Sequence, residues 1–164
     1  GGYVSYLLER FPLEAARLVD VNIPTHTEAL LSHHGNLTLV RGDCTSPAVR
    51  HQVPPVDVVI LFDLLLHQGQ PSWKQVLASW ASTANYLVIH QPQFNGLKSK
   101  RLQPRSRWGD TRHWQWGITD RDLIGYASSL GFQLVHRSGD IGMADTDSEF
   151  QPRGFVFARR KKGL

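Results

Sequence analysis

Cysteine and methionine are nearly absent from this chain of 164 residues, which holds only Cys44 and Met143. A single cysteine excludes an intrachain disulfide framework and a cysteine-based zinc site. Long apolar runs are missing as well: none approaches the roughly 20 residues that a membrane-spanning helix needs. No basic segment followed by an apolar stretch opens the sequence, so no signal peptide is visible and a cytoplasmic location is the expectation. The chain opens at Gly1 rather than at an initiator methionine.

What is present suits one α/β domain over residues 1–164. Apolar residues make up 41% and charged residues 20%, ordinary values for a globular chain long enough to bury a sizeable core. The formal charge of +4 is unevenly spread. Lys98, Lys100, Arg101, Arg105, Arg107 and Arg112 crowd one stretch, and Arg159 to Lys162 form a basic run near the end. Two readings stand for residues 98–112: a solvated loop, or a surface for an anionic substrate or nucleic acid. Trp108, His113, Trp114 and Trp116 lie in or beside that stretch. Such aromatics stack on bases, close as a lid over a small substrate, or pack into the core. His33 and His34 lack a spaced set of partner ligands, so no metal site is expected.

Periodicity supplies the elements. Val4, Leu7, Leu8 and Phe11 recur at helical spacing up to Pro12, predicting a helix over about 3–11. Leu18–Asn22 reads as a strand. Thr25 and Glu28 have capping-box spacing for a helix that continues through Leu30 and Leu31. Leu37–Val40 is a second strand, and a short helical link is expected around Pro47–Gln52. Val56–Leu61 is nearly continuous apolar sequence, as in a parallel strand buried on both faces. A helix over Trp73–Ala81 and a strand over Tyr86–Ile89 come next, followed by an irregular loop over about 95–116. Thr119 is placed to cap a helix that Gly131 ends. Strands at Phe132–Val135 and Phe155–Ala158 close the chain, with a polar segment between them.

Helices alternating with short apolar strands imply a mostly parallel sheet covered on both faces. Such a chain ordinarily begins on a strand, and this one begins on a helix. The expectation is a fragment whose first, central strand lies upstream of Gly1.

The residues that bear chemistry fall at strand ends. Gly1 and Gly2 directly precede the first helix, where glycine lets a backbone approach a ligand beside free N–H groups. Asp20 follows Gly2 by 18 positions and ends the next strand, the place of a carboxylate that accepts two ribose hydroxyls. Asp43 ends the strand after that, in Val40-Arg41-Gly42-Asp43-Cys44. A carboxylate there, beside a turn of polar backbone, can accept a proton from an adenine amino group.

In this order, Gly1 to Pro12 resembles the end of the Gly-rich first motif of class I methyltransferases that use S-adenosylmethionine. Leu18-Val19-Asp20-Val21-Asn22 and Leu39-Val40-Arg41-Gly42-Asp43 resemble the family's second and third strands. Val56 to His67 is similar to its fourth-strand motif and the turn behind it. Gly131-Phe132 and Gly154-Phe155-Val156-Phe157 resemble its closing hairpin, in which the last strand runs antiparallel. The resemblance covers nearly the whole chain and implies a Rossmann-like methyltransferase sheet with S-adenosylmethionine as cofactor. It implies Gly1, Gly2, Asp20, Asp43, Cys44 and Phe62 as cofactor-binding residues and a small-molecule acceptor.

His67 is the candidate base, because an imidazole titrates near neutrality and a histidine near this place serves so in some O-methyltransferases. Elsewhere in the family a histidine there is structural. His90, Gln91, Pro92, Gln93 and Phe94 fall where the family often lines its acceptor pocket. An Asn-Pro-Pro-Tyr motif, typical of enzymes that methylate amino groups of nucleic acids, is absent. The alternative is a catalytically silent methyltransferase-like module that binds RNA or a protein through the basic loop. A nicotinamide-dependent oxidoreductase shares the glycine, helix and acid order, but leaves the acid on the third strand unexplained.

Overall fold

The computed structural model describes residues 2–102, 115–138 and 150–161. They divide into two compact units, Gly1–Pro54 and Pro55–Leu164.

The first unit opens with α1 (Gly2–Arg10). The amide of Phe11 still bonds to the Leu7 carbonyl at 3.0 Å, and Pro12, which has no N–H to offer, follows the helix end. Strands β1 (Ala16–Asp20) and β2 (Leu37–Arg41) pair in parallel, from Ala16 opposite Leu37 to Asp20 opposite Arg41. A parallel pair needs a crossover, supplied by α2 (Thr25–Glu28) and a 3-10 turn over Ala29–Ser32. Helix α3 (Pro47–His51) confirms the expected link, with proline in its first turn where a missing N–H costs nothing. Ile23, Leu37, Val40, Val49 and Val53 are buried here.

The second unit holds a four-stranded sheet in the order β3-β4-β8-β7. Its strands are β3 (Val56–Phe62), β4 (Ala84–Phe94), β7 (Phe132–Arg137) and β8 (Phe150–Arg159). β3 and β4 are parallel, whereas β8 runs antiparallel to both neighbours, as expected of the last strand. Helices α4 (Trp73–Ala81) and α5 (Asp120–Ser129) belong to this unit and touch where Trp73 meets Tyr126 edge-on at 5.6 Å. Leu77, Leu87, Ile89, Leu123, Phe132, Phe155 and Phe157 are wholly buried, each such side chain contributing about 1.5–3 kcal/mol. Thr119 caps α5 by accepting the Asp122 amide, and Gly131 follows the helix at φ +86°, a conformation natural to glycine.

Several expectations change. The capping box at Thr25 and Glu28 does not form, because Pro24 holds the cap position and its carbonyl accepts the Thr27 and Glu28 amides. Glu28 instead pairs with Arg41 at 2.5 Å, and the helix gives way to the 3-10 turn before Leu31. A capping box does form at α4, where Ser72 Oγ accepts the Gln75 amide and Gln75 Oε1 accepts the Ser72 amide. Strand β3 is not buried on both faces: Val58 is 45% and Phe62 37% exposed, and among the described residues β4 is its one pairing partner.

Strand β4 runs five residues past Ile89, because β8 supplies an antiparallel partner as far as Phe94 opposite Phe150. The loop after it contains a small antiparallel pair, β5 (Lys100–Leu102) with β6 (Gln115–Gly117). Arg159, the first residue of the basic run, ends β8. Its guanidinium donates to the carbonyls of Ala84 and Ala81 and lies over the Phe132 ring at 4.6 Å. Arg105, Arg107, Trp108, Arg112, His113 and Trp114 lie outside the described residues. No helix among the described residues is long and apolar enough to cross a membrane.

Candidate functional site

In the first unit the carboxyl ends of β1 and β2 gather the acids that the sequence singled out. The last paired position sets Asp20 beside Arg41, and the Gly42 amide then donates to the Asp20 carbonyl at 2.9 Å. Gly42 has φ +154°, and a Cβ there would fall 2.5 Å from Val49 Cγ2. Glycine is therefore what lets the chain turn closely over α3 and carry Asp43 to the strand end.

Each acid is held by its own turn. Asp20 Oδ1 accepts the Asn22 amide at 3.0 Å, and Asp43 Oδ1 accepts the Thr45 amide at 2.8 Å. These are the local bonds that make aspartate a common turn residue. Each leaves the second carboxylate oxygen with no bonded partner among the described residues. Cys44 stands within the electrostatic reach of both. Burial pushes its thiol up to about 11, and the charges of Asp43 and then Asp20 push the same way against an opposing backbone hydrogen bond. A single cluster thus holds Asp20, Asp43 and Cys44 beyond the carboxyl ends of two parallel strands, the usual place for ligands in open α/β sheets.

Gly1 lies outside the described residues, and Gly2 is the first residue of α1. Phe62 belongs to the second unit, where it ends β3 and tilts against His90 with ring centroids 5.4 Å apart. Asp63 follows at φ +46°, in the left-handed region, with its amide donating to the His90 carbonyl at 2.9 Å. Left-handed residues other than glycine are uncommon and concentrate where function fixes the backbone. Asp63 was not among the candidates at the strand ends, and its place directly behind the apolar run is the signal that marks it.

His67 ends a 3-10 turn over Leu65–His67 and is exposed, while Leu65 and Leu66 beneath it are buried. No side chain among the described residues orients its ring. His90 differs: at the end of the β3–β4 pair its Nδ1 is buried without a partner among the described residues. Gln91 and Gln93 were expected behind the strand; they are instead inside it and wholly buried. Of the basic stretch, Lys98, Lys100 and Arg101 are described, and Lys100 Nζ sits over the Phe94 ring at 5.0 Å.

No protein-family model and no curated protein matches the chain. Solved structures do. An N1-methyltransferase from Burkholderia thailandensis, with bound 1,6-didemethyltoxoflavin and S-adenosylhomocysteine, superposes with a TM-score of 0.74 at 12% identity. That match covers 98% of this chain and 67% of the other. An S-adenosylmethionine-dependent methyltransferase from Clostridium acetobutylicum matches at 0.68 and 9% identity, covering 98% and 80%. An O-methyltransferase family protein from Burkholderia thailandensis matches at 0.70 and 14%, covering 98% of this chain but 48% of that one. The chain has the Rossmann-like fold of class I methyltransferases.

Proposed function

We propose that this chain carries the nucleoside half of an S-adenosylmethionine site and serves a methyl transfer to a small-molecule acceptor. The observation that carries the reading is the cluster of Asp20, Asp43 and Cys44 at the ends of two neighbouring parallel strands. The free carboxylate oxygen of Asp20 suits the hydroxyls of a ribose, and Asp43 with the Cys44 backbone suits the polar edge of an adenine. Gly42 keeps the approach open.

The cofactor, when bound, supplies a methyl group on a sulfonium. The protein's part is then to hold the acceptor in line, since orientation accounts for much of the rate in such a displacement. His67 is our candidate for taking the acceptor's proton. Its exposure and unoriented ring make it a group that the acceptor itself must bring into register.

β1 and β3 each retain an edge with no strand partner among the described residues.

The full-length protein is to be titrated calorimetrically with S-adenosylhomocysteine and, separately, with NAD. The reading predicts saturable binding of the first and none of the second. Silence toward S-adenosylhomocysteine would sink it.

A further inference from the structure

Strand β4 ends on Phe94, and the chain leaves it through Asn95-Gly96, the one Asn-Gly pair in the sequence. The Phe94 ring limits what can follow. An added Cβ at Gly96 would overlap Phe94 Cε1. The ring has little freedom to withdraw, being 7% exposed with Lys100 Nζ over its face at 5.0 Å. The fold itself therefore puts glycine directly behind Asn95. Asn95 is exposed, and the Gly96 amide makes no hydrogen bond among the described residues.

Residues 95–98 form a strap pinned at both ends to one stretch of chain. At the near end the Phe94 amide donates to the Ile118 carbonyl at 2.9 Å. At the far end the Ser99 amide donates to Asp122 Oδ2 at 2.8 Å, and Ser99 Oγ accepts the Thr119 amide at 2.9 Å. Between the pins the chain bends through solvent, with Leu97 91% exposed. The other asparagines are held differently. Asn36 donates its side-chain amide to the Leu13 carbonyl, and Asn85, inside β4, donates to Asp57. The residues behind Asn22 and Asn36 are the buried Ile23 and Leu37.

We propose that Asn95 is a site of spontaneous deamidation through a succinimide, with water as the co-reactant, and that the isoaspartyl product loosens this strap. The Gly96 backbone nitrogen gives up its proton and bonds to Asn95 Cγ, and the side-chain nitrogen leaves as ammonia. Water then opens the five-membered ring on one of its two sides. Attack at Cγ breaks the new C–N bond and leaves an aspartate. Attack at the backbone carbonyl carbon breaks its bond to Gly96 and leaves the chain running through Cγ. That second product, isoaspartate, adds one carbon to the main chain between two fixed pins, whose hydrogen bonds weaken steeply with misalignment. Glycine assists, because without a Cβ its nitrogen approaches Cγ unhindered. The site is independent of the methyltransferase reading.

The test incubates the full-length protein and its Asn95→Gln variant at pH 8 and at pH 6 in 18O-enriched water, followed by peptide mass spectrometry. The peptide that holds Asn95 should gain about three mass units, as replacement of the amide nitrogen by a labelled oxygen requires. The gain should be faster at pH 8, because the attacking amide must lose a proton. Peptides that hold Asn22, Asn36 and Asn85 should lag behind it, and Asn95→Gln should show no gain at that peptide. The isoaspartyl form, separated by chromatography, should melt about 2–4 °C below fresh protein, the equivalent of one lost hydrogen bond. Asn95→Asp, which adds the charge without the extra carbon, should melt with the parent. An Asn95 peptide that stays unlabelled, or that gains label no faster than the other asparagines, would overturn the site. An isoaspartyl form that melts with the parent would overturn the loosening of the strap.

Discussion

The carbonyl oxygen of Asp20 accepts the amide of Gly42 at 2.9 Å, so the ends of two parallel strands are locked where the acids lie. That bond continues the β1–β2 ladder by one rung beyond Arg41. It makes the position of Asp43 depend on backbone geometry rather than on side-chain packing.

Gly42→Ala should therefore be costly. The new Cβ meets Val49 Cγ2 at 2.5 Å, and Val49 is β-branched and 7% exposed, with little freedom to withdraw. The φ of +154° adds strain that no repacking removes. Destabilisation of about 1–3 kcal/mol is expected from urea unfolding. Gly42→Ala combined with Val49→Ala should recover only part of it.

Asp20→Ala removes the carboxylate that the proposed ribose contact uses. Charge-assisted hydrogen bonds are worth about 1.5–3 kcal/mol, so S-adenosylhomocysteine should bind roughly ten- to a hundredfold more weakly. Melting should change little, because Asp20 is exposed and its bonded partner is a turn amide. Unchanged affinity in calorimetry would remove Asp20 from the site.

Cys44 gives a pH prediction. With its thiol pushed up to about 11, only about one in a thousand is ionised at pH 8, and alkylation by iodoacetamide should be slow there. The charge of Asp43 favours the protonated thiol, so Asp43→Asn lowers that value and raises the alkylation rate at pH 8. A slower rate in the variant would contradict the arrangement.

Asp122 holds the chain after β4 to the start of α5. Its Oδ2 accepts the Ser99 amide at 2.8 Å, while Ser99 Oγ accepts the Thr119 amide at 2.9 Å. Bonds from Ser99, the backbone one first, hold the Asp122 carboxyl below the ordinary carboxylate range. A lowered value in the folded state adds stability at neutral pH that is lost as pH falls through it. Asp122→Ala should thus melt lower than the parent at pH 7, and the gap should narrow in acid below the ordinary carboxylate range. A gap that is constant with pH would assign the loss to something other than the charge.

His67→Ala should lower the turnover of methyl transfer by about a hundredfold or more while leaving S-adenosylhomocysteine affinity intact. An unaffected rate would leave His90, whose buried Nδ1 has no partner among the described residues, as the next residue to replace.

Much of this was legible in the sequence where a local rule suffices. The apolar runs Leu37–Val40 and Val56–Leu61 became strands, and Thr119 and Gly131 bound α5 as capping chemistry predicts. Asp20 and Asp43 were legible because strand ends in alternating α/β chains are where ligands sit. Thr25 and Glu28 misled because their spacing says nothing of Pro24, which holds the cap, or of Arg41, thirteen residues on, which takes the glutamate. The extension of β4 through Gln91 and Gln93 was hidden because a proline and two glutamines look unlike a strand. Only the distant β8 makes them one, and no local pattern reports a partner about 60 positions away. His67 was found by type and place alone, and its exposure could not be read from its neighbours.

The most direct measurement is an amide NMR titration of the 15N-labelled full-length protein with S-adenosylhomocysteine. Saturable shifts concentrated at Asp20–Asn22 and at Gly42–Thr45 are expected, as is their loss in Asp20→Ala. Binding that leaves those amides unmoved, or no binding at all, would contradict it.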